Sequence, residues 1–305
     1  MSVATTPVFT PHDVKHPSSM PAVLAQLRTH GMVLLDGMPT RSDVLTAAGR
    51  ILVPWPHPDS GPDGLTAIQH VVRHHGRPGY AGFGTAALDP HSERAQTTKP
   101  PRLMLMACQK AADTGGECLL ADGREVLGAL SAEAVEQFFR PGSVYYGTSS
   151  GHASQVFTRH PGGRVSIRLR FDRLAHWSPP TEPHLDDLRA AIAAAQHRVA
   201  LSAGQAYLID NHRWLHARTE FSGDRRFLRA LGVPRFAMAE GFPGLPPAEP
   251  ERAGLPRVCG GAVSPDLPPR DRPAPEGPIV TVPLSPLVQA TIDRIRAASR
   301  AAARG

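Results

Sequence analysis

Cysteine is scarce: Cys108, Cys118 and Cys259 are the only three in 305 residues, and no two of them form a Cys-x-x-Cys pair. An odd, scattered set excludes a disulfide framework and a thiolate zinc knuckle, and it predicts reduced thiols. Long apolar runs are missing as well; none approaches the ~20 residues needed to cross a bilayer. Residues 1–13 lack the basic start and apolar stretch of an export signal, so the expected location is the cytoplasm and no membrane partner is expected. Lysine is nearly absent, with only three among the 33 basic residues. Aromatic residues make up 6% and no basic run alternates with them, which removes the stacking groove a nucleic-acid-binding protein needs. The remaining charge is spread along the chain, giving a net +6 and an isoelectric point near 9.7. Such a surface offers at most a long-range attraction for anionic substrates.

With 41% hydrophobic and 20% charged residues, the chain has the make-up of a globular protein able to bury a large core. One domain spanning 1–305 is expected, with a core over about 20–240 and a Pro-rich extension over 241–305. Proline is densest over 243–278, which predicts an extended covering segment, and a terminal helix is predicted near 286–303. No internal repeat is visible.

Apolar spacing predicts a helix over 22–28, a buried strand at Met32-Val33-Leu34-Leu35, and a helix over 42–52 capped by Ser42. Residues 54–64 read as loop, and the glycines and aromatics of 78–85 as a flexible segment leading to a strand at His91. The apolar runs 103–108 and 118–121, separated by Asp113-Thr114-Gly115-Gly116, predict a hairpin. A helix over 124–139, an alternating strand over 165–171, a helix over 185–201 and strands over 204–210 and 226–233 complete the set. Many short strands of this kind suggest a β-sandwich barrel whose mouth gathers distant residues.

The chemistry gathers at His91-Ser92-Glu93. On an extended chain, residues two apart share a face, so the His91 imidazole and the Glu93 carboxylate can reach one ion together. His216, in Asp210-Asn211-His212-Arg213-Trp214-Leu215-His216, offers a third ligand. Two imidazoles and one carboxylate leave coordination positions open, the pattern of non-heme Fe(II) oxygenases. His212 is the nearest substitute; His70, His74, His75, His152 and His160 have no ligand-like partner. Ser92 stands beside a histidine, but no Gly-x-Ser-x-Gly elbow surrounds it, which speaks against serine hydrolysis.

Four stretches in order resemble the Fe(II)/2-oxoglutarate-dependent oxygenases of the taurine dioxygenase and clavaminate synthase type. They are Pro90-His91-Ser92-Glu93; Pro100-Pro101-Arg102-Leu103; Gly115-Gly116-Glu117 with Ala121-Asp122-Gly123; and Asp210-Asn211 through Leu215-His216-Ala217-Arg218 to the arginines at 225–229. The resemblance covers roughly 20–235. It implies a mainly β fold with flanking helices, a distorted double-stranded β-helix or jelly roll, binding Fe(II) through His91, Glu93 and His216. Glu93 in place of aspartate resembles the clavaminate synthase and amino-acid hydroxylase branch. Related halogenases lack this carboxylate, so Glu93 speaks against halogenation.

The co-substrate 2-oxoglutarate needs a fixed cation for its far carboxylate, a task suited to a guanidinium fork. Arg225 and Arg229, four apart, fit the family spacing and share a strand face; Arg226 lies opposite and ranks third. The family commonly has threonine after Gly-Gly-Glu, where this chain has Cys118, a poor donor; Thr114 is a candidate to take its part. Arg168, Arg170 and Asp172 resemble an Arg-x-Arg-x-Asp stretch that borders substrate in amino-acid hydroxylases, and Gln69 and Arg94 stand near the expected mouth. Asp210 and Asn211 are expected to fix the turn before His216, with Arg218 behind the ligands or at the surface.

The activity implied is O2-dependent hydroxylation of an aliphatic carbon in a small polar metabolite, an amino acid or natural-product intermediate, releasing succinate and CO2. Desaturation and ring closure share the same chemistry and remain open. An alternative is a non-catalytic jelly roll holding zinc or nickel, which has no reason to carry the arginine cluster. A third, a basic nucleic-acid-binding protein, predicts steeply salt-dependent affinity.

Overall fold

The computed structural model describes residues 10–244, apart from 56, 75, 149 and 150. The readings made for 245–305, including the terminal helix, and for His75 and Cys259 lie outside the described residues.

Two antiparallel sheets carry the body, and alternation along their strands sorts side chains into three layers. The larger sheet runs His12–Asp13, Met32–Asp36, Ala206–Asp210, Leu103–Lys110, Arg226–Pro234 and Leu52–Pro54, with Thr66–Ile68 also paired to Arg226–Pro234. Only its first pair is parallel. The smaller sheet runs Gln196–Val199, Cys118–Asp122, Trp214–Arg218 and Leu88–His91.

On the larger sheet, Leu103, Leu105, Ala107, Leu208 and Ala230 pack against Val23 and Leu27 of helix Ser19–His30 and Val44 and Ile51 of helix Arg41–Ile51. Their neighbours Met104, Met106, Tyr207, Ile209, Phe227 and Leu231 point the other way and meet Cys118, Leu120 and Trp214 of the smaller sheet. The outer face of the smaller sheet, with Ala121 and Leu215, is covered by helices Gly123–Ala129, Ala132–Phe139 and Leu185–Ala194. Each large apolar side chain so buried contributes about 1.5–3 kcal/mol, so the two sheets are held face to face.

Several expectations are corrected here. The runs 103–108 and 118–121 are not a hairpin: the first lies in the larger sheet and the second in the smaller. The turn between them instead pairs Thr114–Gly115 with Phe221–Ser222. Leu103–Lys110 is apolar on both faces because both are covered, and such a run carries no information about which strand flanks it. The predicted helix 124–139 is two helices, since the Ser131 hydroxyl accepts the Ala134 N–H and caps a new start. Helix Arg41–Ile51 is capped not by Ser42 but by Thr40, in a reciprocal capping box with Asp43.

The expected helix 185–201 ends at Ala194 and continues as strand Gln196–Val199 against Cys118–Asp122. The predicted strand 165–171 stops at Ile167. Two short pairings lie near the ends of the described residues. His12–Asp13 pairs with Leu35–Asp36, and Phe242–Pro243 pairs with Arg164–Val165. Among the described residues, no helix is long and apolar enough to cross a membrane.

Candidate metal and co-substrate site

Trp214–Arg218 pairs with Leu88–His91 so that His216 stands directly opposite His91. Alternation turns His216 inward, between the sheets, together with its neighbour Trp214. The two imidazole centroids are 4.0 Å apart. Glu93 lies just past the strand end, and its Oε2 is 3.7 Å from His216 Nε2. One donor atom from each of His91, Glu93 and His216 lies within 4.8 Å of the others, the one such group among the described residues.

Backbone contacts hold these donors in place. The His91 Nδ1–H donates to the Asp89 carbonyl at 2.8 Å, which leaves Nε2 with its lone pair for a metal. Asn211 clamps Glu93: its Oδ1 accepts the Glu93 N–H at 2.7 Å, and its Nδ2 donates to the Glu93 and Pro101 carbonyls. Asn211 therefore fixes the Glu93 backbone as well as the turn. Ser92 points away, its N–H donating to the Leu169 carbonyl and its hydroxyl accepting the Leu169 N–H. That is a scaffold role, as the missing elbow motif implies.

The donor chemistry suits a divalent metal. Burial, reinforced by His216, pushes the His91 imidazole down to about 3, so it stands neutral. Burial alone would raise the Glu93 carboxyl, but the Arg229 guanidinium and the two imidazoles outweigh it and hold the group ionised well below the ordinary carboxylate range. Arg229 Nη1 donates to Glu93 Oε2 at 2.7 Å, and Arg229 Nη2 lies 3.2 Å from His57 Nε2. Burial lowers His57 to about 4, helped by Arg229, so it adds no charge. Sequence reasoning missed His57; nothing in Trp55-Pro56-His57-Pro58-Asp59 marks it as a site residue.

Arg225 is the second feature. It is 5% exposed and makes no ion pair among the described residues. Its Nε donates to the Gly116 carbonyl at 3.1 Å, and Nη2 reaches the Cys118 Sγ at 3.8 Å. Its guanidinium lies 3.7 Å from the Phe227 ring centroid. Gly116, at φ 74, permits this approach, since a Cβ there would meet Arg225 Cδ at 3.0 Å. Arg229 lies on the same inward face, about 13 Å along the strand by ordinary strand rise.

Arg226 is exposed on the opposite face and bonds Asp224. Thr114 is exposed and bonds Ser222, so its hydroxyl is committed elsewhere. Cys118 is buried against Arg225, where burial raises its thiol and keeps it protonated. Arg218 is not at the surface: it is buried, donates to the Gly82, Gly84 and Ala86 carbonyls, and ties that loop to the strand that carries His216.

The substrate candidates do not share one strand face as expected, because the chain leaves the sheet at Ile167 to bond Ser92. Arg170 bonds Asp172 through two nitrogens and Gln96 Oε1 at 2.7 Å, and its charge is felt at His91. Arg168 turns to His152 Nε2 at 2.7 Å and the Thr97 and Thr98 carbonyls. Gln69 is exposed and lines, with His70, Asp224, Arg225 and Arg226, a depression of about 330 Å³. Arg94 directly follows Glu93 at φ 58, the one non-glycine residue with positive φ among those described.

Two facing sheets with a His-Glu-His group between them, backed by an arginine that is buried without a carboxylate partner among the described residues, present the donor set of a mononuclear non-heme metal oxygenase. The chain belongs to the taurine catabolism dioxygenase TauD, TfdA family, whose model matches residues 4–231. It is accordingly a dioxygenase of the Fe(II)/2-oxoglutarate-dependent class.

Among solved structures, the chain resembles an asparagine oxygenase in complex with Fe(II), 2S,3S-3-hydroxyasparagine and succinate. The TM-score is 0.61 at 21% identity, covering 71% of this chain and 79% of that one. It also resembles the non-heme iron oxygenase OrfP in complex with Fe, succinate and (3S)-hydroxy-L-Arg, with TM-score 0.58 at 16% identity, over 71% of this chain and 81% of that one. A third similar structure is PvcB from Pseudomonas aeruginosa, with TM-score 0.56 at 18% identity, over 73% and 83%. No curated protein sequence matches at a significant level.

Proposed function

We propose that this protein is an Fe(II)/2-oxoglutarate-dependent hydroxylase acting on an aliphatic carbon of a small polar metabolite, an amino acid or a natural-product intermediate, and that its two sheets form the family's jelly roll. The observation that carries this reading is Arg225: a guanidinium buried without a carboxylate partner among the described residues, on the same inward face as Arg229 beside Glu93. A buried cation lacking a protein counterion is costly, and a ligand carboxylate removes that cost. The asparagine oxygenase and OrfP structures bear hydroxylated amino acids, which supports the substrate class.

His91, Glu93 and His216 would hold the iron. When bound with 2-oxoglutarate and O2, it supplies oxidation of a substrate C–H bond with release of succinate and CO2. The residues of the chain bind and orient. Arg225 receives the far carboxylate of 2-oxoglutarate, with Cys118 closing the pocket behind it. Arg229 fixes one Glu93 oxygen and keeps the carboxylate ionised. The neutral imidazole of His91 offers a lone pair, His216 stands opposite it, and Asn211 holds the Glu93 backbone in place. Arg170 and Asp172, paired with each other near His91, form a polar border to the space where an amino acid would sit. Arg168 and Gln69 serve as outlying contacts, and Arg226 as a surface residue.

Anaerobic titration with Fe(II) and 2-oxoglutarate tests the reading through the visible metal-to-ligand charge-transfer band. The band is expected in the wild type and absent in His216→Ala. A wild type that binds metal but gives no band would overturn the proposal.

A further inference from the structure

Three arginines surround the metal group, and two are committed. Arg229 is bonded to Glu93, and Arg170 to Asp172. Arg94 makes no hydrogen bond or ion pair with any described residue through its side chain, and its Nε is buried without a partner. Glu93 and, less strongly, Asp59 are near enough to attract it, but neither pairs with it.

The backbone at Arg94 is held in a conformation that its side chain disfavours. Its φ is 58, a left-handed value that glycine adopts freely and arginine does not. Two bonds maintain it, since the Arg94 carbonyl accepts both the Thr97 N–H and the Thr97 hydroxyl at 2.9 Å. Strain of this kind persists where surrounding structure over-determines it, and it gathers at functional sites. The guanidinium comes to lie 5.6 Å from the Trp55 ring centroid. Trp55 is itself anchored, its N–H donating to the Leu231 carbonyl at 2.8 Å.

Charge points the same way. Fe(II), Glu93 and the 2-oxoglutarate dianion together carry one negative charge, which Arg225 and Arg229 outweigh. Arg94 then adds a cation that nothing in the loaded centre compensates. A half-buried guanidinium fixed against an aromatic wall is a receptor for a planar or tetrahedral oxyanion.

We propose that Arg94, braced by Trp55, receives an anionic side-chain group of the primary substrate, a carboxylate or another oxyanion, so that the enzyme takes acidic small molecules in preference to their counterparts with an uncharged side chain. This inference rests on the hydroxylase reading above and narrows its substrate class.

The test is calorimetric binding to the Fe(II)·2-oxoglutarate complex under argon, using acid and neutral pairs: L-aspartate with L-asparagine, L-glutamate with L-glutamine, and O-phospho-L-serine with L-serine. In the wild type at least one acid is expected to bind ten-fold or more tightly than its partner. Arg94→Gln should abolish that difference, while Arg94→Lys keeps part of it. Arg94→Gly, which suits the left-handed backbone, should fold at least as well as the wild type and lose the preference too. Acid and neutral members binding alike in the wild type, no binding by any acid, or a preference surviving in both Arg94→Gln and Arg94→Gly would overturn the proposal. The charge-transfer band separates the two readings: a band without acid preference sinks this inference alone, and its absence from the wild type sinks the hydroxylase reading beneath it.

Discussion

Arg102 and Arg213 are as buried as Arg225, yet the three guanidiniums live in opposite circumstances. Arg102 grips Asp210 through Nε and Nη2 at 2.6 and 2.9 Å and also reaches Glu240. Arg213 grips Asp122 through Nε and Nη2 at 2.9 and 2.6 Å and donates to the Thr29 carbonyl. Both pairs brace the turn that carries Asn211 and begins the His216 strand. Arg225 has one carbonyl, one thiol and aromatic rings around it, and no carboxylate partner among the described residues. A paired buried cation braces the scaffold, whereas an unpaired one is the cation proposed here to receive a ligand carboxylate. The family motifs divide along this line: Arg102, Asp122 and Asp210 build the frame, while His91, Glu93, His216 and Arg225 face the space between the sheets.

The comparison can be broken experimentally, beginning with the largest effects. Replacing a metal donor, as in Glu93→Ala or His216→Ala, should abolish iron retention and product formation, measured by metal analysis after desalting and by succinate release. Arg102→Met or Arg213→Met should cost about 3–5 kcal/mol of folding stability in urea titrations, because each leaves a buried aspartate uncompensated. Arg225→Met should do the reverse. Its apo stability is expected to hold or rise, while 2-oxoglutarate binding weakens by about two orders of magnitude, or ~2–3 kcal/mol. Equal destabilisation by Arg102→Met and Arg225→Met would erase the distinction.

A smaller effect concerns pH. His57 titrates near 4 in the folded state because burial opposes its charged form, against about 6.5 in the unfolded chain. The unfolded chain therefore binds the proton first. The stability this contributes is complete above about pH 6.5 and is lost as pH falls towards 4. His91, pushed down to about 3, acts in the same direction. His57→Gln should flatten the acid limb of the apo stability curve, and a limb left unchanged would remove His57 from the account. The smallest effect expected is Cys118→Thr. A hydroxyl beside Arg225 should tighten 2-oxoglutarate binding by about 1 kcal/mol, roughly five-fold.

Much of the site was legible in the sequence because its chemistry is local. His91 and Glu93 are two residues apart, and Arg225 and Arg229 four apart, so strand geometry alone puts each pair on one face. The inward turn of Arg225 and the exposure of Arg226 follow the same alternation. What escaped depends on distant partners. The two apolar runs around Gly115-Gly116 look like a hairpin until the crossing from one sheet to the other is seen. Arg168 was expected to share a face with Arg170, but the Leu169 backbone leaves the sheet to bond Ser92. His57 and Arg218 acquire their places from Arg229 and from three loop carbonyls, contacts with no local sequence signature. The left-handed backbone at Arg94 is equally hidden, since arginine is not a residue that announces it.

The most direct test of the central claim, that the unpaired guanidinium of Arg225 is the 2-oxoglutarate receptor beside a His91–Glu93–His216 iron centre, is the 2-oxoglutarate binding isotherm at saturating Fe(II) under argon. Wild type and Arg225→Met are compared, with iron affinity measured in parallel. The account predicts iron binding unchanged and 2-oxoglutarate affinity about two orders of magnitude weaker in the variant. Unchanged 2-oxoglutarate affinity would contradict it and move the co-substrate to another cation.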